Sequence, residues 1–135
     1  MRSLVIIPAR FNSTRFPGKP LININGKTMI QRVYEQVKKC QEATDIIIAT
    51  DDTKIYNHIK SFNGSVIMTL KNHISGTDRC NEVVKKINKK YDVIINIQGD
   101  EPIINPQQIT KIINCFQNSS TEIVTLAKKN PSTKM

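Results

Sequence analysis

A chain of 135 residues is long enough for one domain with a hydrophobic core and too short for two. Its 39% apolar content excludes disorder, no apolar run approaches the ~20 residues that span a bilayer, and the run before Pro8 is too short for a signal-peptide core, so the expected location is the cytoplasm. The net charge of +9 resides largely in lysine pairs (Lys38-Lys39, Lys85-Lys86, Lys89-Lys90) without interleaved aromatics, which points to solvated helix faces and not to a nucleic-acid surface.

Leu4 to Ile7 is a short continuous apolar run, the pattern of a strand buried on both faces. The "NING" of residues 23–26 reads as a tight turn. Thr28 to Cys40 follows as a helix, with Met29, Ile30, Val33, Tyr34 and Val37 spaced along one face. Asp45 to Ala49 is a second strand, after which Asp51 or Asp52 can cap a helix carrying Ile55, Ile59 and Phe62 on one side. His58 sits in that helix as an exposed side chain. Val66 to Met68 is a third strand after a turn at Asn63-Gly64. Thr77 to Asn88 is a helix with Cys80, Val83, Val84 and Ile87 inward, and Val93 to Ile97 is a fourth strand. Asn105-Pro106 starts a helix whose stripe is Ile109, Ile112, Ile113 and Phe116, and Glu122 to Ala127 is a fifth strand. The three cysteines, Cys40, Cys80 and Cys115, have neither metal-ligand nor redox spacing, and are expected as buried free thiols on or beside helix stripes.

Strands alternating with helices predict an α/β fold: a mostly parallel sheet with helices on both faces. In such folds ligands sit beyond the carboxyl ends of the strands, which directs attention to the segments following each strand. The first of them, within "VIIPARFNSTRFPGKPL", places Arg10, Arg15 and Lys19 in one loop with the hydroxyls of Ser13 and Thr14 and no acid. Arginine forks and a lysine point charge suit the oxygens of a pyrophosphate or triphosphate; an ordinary basic surface loop is the alternative. Gly26-Lys27-Thr28 imitates the end of a phosphate-binding P-loop, but Leu21 stands where that motif needs its first glycine. The fourth strand runs into "QGDEP". There Asp100, across from the cationic loop, could hold Mg²⁺ together with phosphate oxygens, although an acidic pair after a strand is a weak signal by itself. "NHISGTDRC" holds His73, Ser75, Gly76, Thr77 and Arg79, either as a helix cap or as a polar wall for a base or sugar; spacing does not choose between them.

Taken together, "IIPARFNSTRFPGKPL", "NGKTMI", "IATDD", "HISGTDR" and "NIQGDEP" resemble, in order and spacing, the 3-deoxy-manno-octulosonate (KDO) cytidylyltransferases, the CMP-KDO synthetases, over essentially the whole chain. The resemblance implies a Rossmann-like fold of the nucleotide-diphospho-sugar transferase type. It implies transfer of CMP from CTP to KDO with release of pyrophosphate, in lipopolysaccharide biosynthesis, with Mg²⁺ as cofactor. It implies that Arg10, Ser13, Arg15 and Lys19 bind CTP, that Thr50 and Ser75, Gly76 and Thr77 line the cytidine pocket, and that Gln98 and Arg79 lie near the sugar. Asp100 is then the first metal ligand, and Lys19, Arg10 and Asp100 are the catalytic groups. CTP and KDO are the implied partners, without nucleic acid or membrane, and the family is implied to work as a homodimer. Two departures are small: Phe16 stands where leucine is usual and Thr28 where proline is usual.

The larger departure is length, since family members are roughly twice as long. Residues 1–135 are accordingly expected to be a single nucleotide-binding α/β domain, the N-terminal half of a longer family domain, truncated before the second metal-binding aspartate, most of the sugar pocket and the dimer interface. Two expectations follow: a synthetase active only in a longer or complemented form, or a split gene product that is at most a weak nucleotide-binding module.

Overall fold

The structure, a computed structural model, describes residues 2–11, 18–71, 76–99, 104–115 and 122–126. In chain order these form β1 (Ser3–Ala9), a 3₁₀ turn (Lys19–Leu21), β2 (Asn23–Ile24), β3 (Lys27–Thr28), α1 (Met29–Lys38), β4 (Asp45–Thr50), α2 (Thr53–Ser61), β5 (Val66–Met68), α3 (Gly76–Ile87), β6 (Val93–Ile97), α4 (Pro106–Cys115) and β7 (Glu122–Leu126). Five strands make one sheet in the order β5-β4-β1-β6-β7, and every pairing in it is parallel.

Strand β1 is central, and its residues alternate between two cores. Val5 and Ile7 pack with Ile30, Val33 and Val37 of α1, Ile55 and Ile59 of α2, and Ile109 and Ile113 of α4. On the opposite face Leu4 and Ile6 pack with Cys80 and Val83 of α3 and Ile94 of β6. The sheet is therefore covered on both sides, which is why its central strands read as unbroken apolar runs. Strand β1 runs two residues past the predicted Ile7. Pro8 pairs in register with Ala49 of β4, while pairing with β6 ends earlier, at Ile6↔Asn96. A proline lacks the N–H that a strand bonded on both sides requires, so pairing narrows to one side just before it.

The "NING" turn closes a two-stranded antiparallel hairpin of β2 and β3, with Asn25 at φ 52° and Gly26 at φ 95°. Positive φ at both central positions is the signature of a primed hairpin turn. Arg32 of α1 fastens the hairpin by donating from Nε to the Ile24 carbonyl (2.6 Å) and from a terminal nitrogen to that of Asn25 (2.8 Å). Lys27 pairs with Glu35 at 2.8 Å, so the segment that imitates a P-loop is committed to a structural hairpin.

Two expectations need correction. Cys40 and Cys80 are buried, but Cys115 is exposed, because it falls off the Ile109–Ile113 stripe at the last residue of α4. His58 is half-buried, with its Nε2 2.6 Å from Thr28 Oγ1 and its ring edge against Phe62. Burial holds its pKa below the usual 6.5. Thr28 also caps α1, its Oγ1 accepting from the Gln31 N–H. A proline at that position could supply neither contact.

A candidate nucleotide site at the carboxyl edge of the sheet

Strands β1, β4, β5 and β6 all deliver their following residues to one edge. On leaving β1 the chain is pinched at once: the Gly18 N–H donates to the Phe11 carbonyl at 2.7 Å. That bond joins Phe11 to Gly18, so Arg10 and Lys19, nine positions apart in sequence, directly flank the joined pair. Arg10 is exposed and Lys19 half-buried. The helix α2 adds a cation that no sequence pattern singles out: Lys54 Nζ lies 5.4 Å from the centre of the Phe11 ring. Sequence inspection missed it because only the fold sets Phe11 beside the first turn of α2. Ser13 and Arg15 lie outside the described residues.

At the exit of β4, Thr50 is buried, and its Oγ1 accepts from the Asp52 N–H at 3.2 Å. The two candidate cap residues divide their work. Asp52 caps α2, accepting from the Ile55 N–H at 3.0 Å, and Asp51 forms an ion pair with Arg79 at 3.1 Å. Arg79 is only 3% exposed and also donates to Thr69 Oγ1 and to the Leu70 carbonyl (2.9 Å). Its guanidinium thus joins the exits of β4 and β5 to α3. Next to it, burial pushes the Cys80 thiol up to about 12, which keeps it protonated and inert at neutral pH despite the opposing charge of Arg79. Gly76 and Thr77 form the first residues of α3, while Ser75 and His73 lie outside the described residues.

The exit of β6 runs close to that of β1. Gln98 and Gly99 are half-buried, and a Cβ built on Gly99 would sit 2.8 Å from the Pro8 carbonyl oxygen. Glycine is what permits that approach, and Asp100 is the next residue in the chain, outside the described part. Among the described residues no three His, Cys, Asp or Glu side chains group as a metal site, and no helix is long and apolar enough to cross a membrane. Chemically, the edge offers exposed cations beside β1 and a neutralised, buried polar corner at β4 and β5. That combination suits a ligand that is anionic at one end and neutral at the other.

The chain is similar to known proteins over most of its length. The chain is 57% identical over 128 residues to a 3-deoxy-manno-octulosonate cytidylyltransferase of Parabacteroides distasonis, covering 95% of this chain and 50% of that protein. It is 47% identical over 123 residues to an 8-amino-3,8-dideoxy-manno-octulosonate cytidylyltransferase of a Shewanella species, covering 90% of this chain and 50% of the relative. A solved structure of CMP:2-keto-3-deoxy-manno-octonic acid synthetase complexed with CTP superposes with a TM-score of 0.83 at 41% identity, over 87% of this chain and 48% of that one. The chain therefore spans about half the length of the relatives it matches. The family model described as cytidylyltransferase matches residues 4–134, and the chain belongs to that family.

Proposed function

We propose that the chain is the CTP-binding half of a 3-deoxy-manno-octulosonate cytidylyltransferase, which joins CMP to KDO and releases pyrophosphate for lipopolysaccharide assembly in the cytoplasm. The observation that carries the reading is the pinched first loop, which gathers Arg10 and Lys19 at the edge where an α/β fold receives its ligand. Arg10 and Lys19, with Ser13 and Arg15, would hold the triphosphate. Thr50 and the Ser75-Gly76-Thr77 segment would receive the cytidine, and Gln98 would face the sugar.

In the reaction an oxygen of the KDO anomeric hydroxyl bonds to the α-phosphorus as the bond to the pyrophosphate oxygen breaks, and the hydroxyl proton is lost to solvent or base. Arg10 and Lys19 orient the triphosphate and offset the charge that builds on the leaving pyrophosphate. Mg²⁺, when bound, supplies further neutralisation at the phosphates, with Asp100 as its carboxylate ligand. One hard oxygen ligand from the protein fits an ion that keeps several waters and takes the rest of its shell from phosphate. A homodimer of the longer protein is part of the same proposal.

The test is calorimetry of the purified chain with CTP, with Mg²⁺ and with excess chelator, followed by pyrophosphate release with KDO or its 8-amino analogue. Tighter CTP binding with Mg²⁺ is expected. Turnover by the chain alone should stay below about 1 s⁻¹, the lower end of ordinary enzymes, and rise when the carboxyl-terminal half of the Parabacteroides relative is added. Equal affinity with chelator would remove the metal role, and no CTP binding at all would sink the reading. Preference for the 8-amino sugar would transfer the proposal to the activity named for the Shewanella relative.

A further inference from the structure

One helix grips the exit of β5 with a row of charges. On α3, Arg79, Glu82 and Lys86 recur at helical spacing. Lys86 Nζ donates to the Met68 carbonyl (2.9 Å), and Glu82 accepts from the Leu70 N–H (3.0 Å). Arg79 takes Thr69 Oγ1 and the Leu70 carbonyl, then reaches across to Asp51 after β4. The Thr69 N–H completes the join by donating to the Thr50 carbonyl at 2.8 Å. Strand β5 has only three residues and pairs on one side with β4, so the polar groups beyond it need partners. Glu82 and Lys86 would satisfy an edge strand by themselves. Arg79 does something more, because it bridges two strand exits and is almost completely buried in doing so.

A buried guanidinium with three of its five N–H groups engaged and its charge matched by Asp51 is poorly placed to take a ligand as well. Truncating either partner would leave an unpaired charge in a dry corner, so the two side chains act as a unit. We infer that Arg79 is a positioning residue: with Asp51 it fixes the separation between Thr50 and Leu70, so that the exits of β4 and β5, and not Arg79 itself, meet the nucleoside end of the ligand. The inference rests on the CTP reading for the identity of that ligand, while the clamp exists without it.

The experiment combines CTP calorimetry in Mg²⁺ with amide hydrogen exchange on the ligand-free chain, for Asp51→Asn, Arg79→Lys, the double variant and Lys86→Met. Asp51→Asn preserves shape and guards against simple unfolding, which thermal melts check. The expected result is that each single clamp variant weakens CTP binding by about tenfold, and that the double variant is no worse than either, as for residues acting through each other. The Thr69 and Leu70 amides should exchange faster in both single variants, and Lys86→Met should bind CTP within about twofold of the parent. If Asp51→Asn binds normally while Arg79→Lys does not, Arg79 touches the nucleotide and the inference is overturned. Equal losses in Lys86→Met would reduce the row to a general support and overturn it too. If the parent chain binds no CTP, the nucleotide reading fails separately. Exchange then decides the clamp: unchanged Thr69 and Leu70 amides in Asp51→Asn refute it, and faster ones uphold it.

Discussion

Replacing Gly99 by alanine tests whether the exits of β1 and β6 must lie as close as they do. The added Cβ would sit 2.8 Å from the Pro8 carbonyl oxygen, 3.6 Å from Ile30 Cδ1 and 3.7 Å from Ile7 Cγ2. The last two are ordinary contacts. The first is shorter than the ~3.3 Å at which carbon normally approaches a carbonyl oxygen, so about 0.5 Å must be found by moving backbone. Pro8 cannot yield easily, since it is held in register against Ala49 of β4. The shift therefore falls on Gly99 and the residues after it. Overpacking of this kind costs about 1–3 kcal/mol. At about 4 °C per kcal/mol for a domain of this size, the melting midpoint should fall by roughly 4–12 °C. The displaced segment leads directly into Asp100, so the Mg²⁺-dependent part of CTP affinity should be lost in addition. Gly26→Ala serves as the control: a Cβ there meets nothing within 4 Å, and only the positive φ is penalised, at about 1 kcal/mol. It should lower the midpoint slightly and leave CTP binding alone. A Gly99→Ala chain that melts within about 1 °C of the parent and retains its metal-dependent affinity would refute the reasoning.

Two further outcomes are expected. A thiol reagent applied to the native chain at neutral pH should modify Cys115 rapidly and reach Cys40 and Cys80 only after denaturant is added, as read by mass spectrometry; fast labelling of Cys80 would contradict its burial and raised pKa. Because burial holds His58 below 6.5, the unfolded chain takes up a proton first as pH falls, so stability is complete above about pH 7 and declines below it until the folded-state pKa is passed. The melting midpoint should therefore drop between about pH 7.5 and 5.5, and His58→Gln should flatten that slope; an unchanged slope would assign the effect elsewhere.

What was legible in the sequence was whatever depends on local periodicity. The stripe of α1 and the apolar run of β1 located those elements to within two residues at each end, and the stripe of α2 found its buried Ile55 and Ile59, because burial on a helix face or in a two-sided sheet leaves its own spacing. The choice between Asp51 and Asp52 as cap was not legible. It was decided by Arg79, a partner 28 residues away. His58 was misread for the same reason, since its partner Thr28 is 30 residues distant. Cys115 was misplaced for a different one: it lies two residues beyond Ile113, off the stripe, and helical spacing alone would have put it outside. In the candidate site, Arg10 and Lys19 stood out by charge, but nothing in the sequence showed that a Phe11–Gly18 bond would draw them together.

The two ends of the proposed nucleotide are served by different physics. Arg10 and Lys54 are exposed, so their attraction for phosphate acts through water, is weakened by salt and tolerates small displacements. In the corner at the exits of β4 and β5, Thr50, Thr69 and Arg79 are buried and Asp51 is partly so, and the interactions there are short-ranged, directional and little affected by salt. An exposed cation can be lost at modest cost, whereas a buried polar network fails as a whole once one member is removed. Discrimination between bases should accordingly reside at the exits of β4 and β5, and attraction for the triphosphate at the exit of β1. Arg79 belongs by charge to the second task and by burial to the first, and its ion pair with Asp51 resolves that conflict: the charge is spent within the protein, and what remains for the ligand is the geometry it holds.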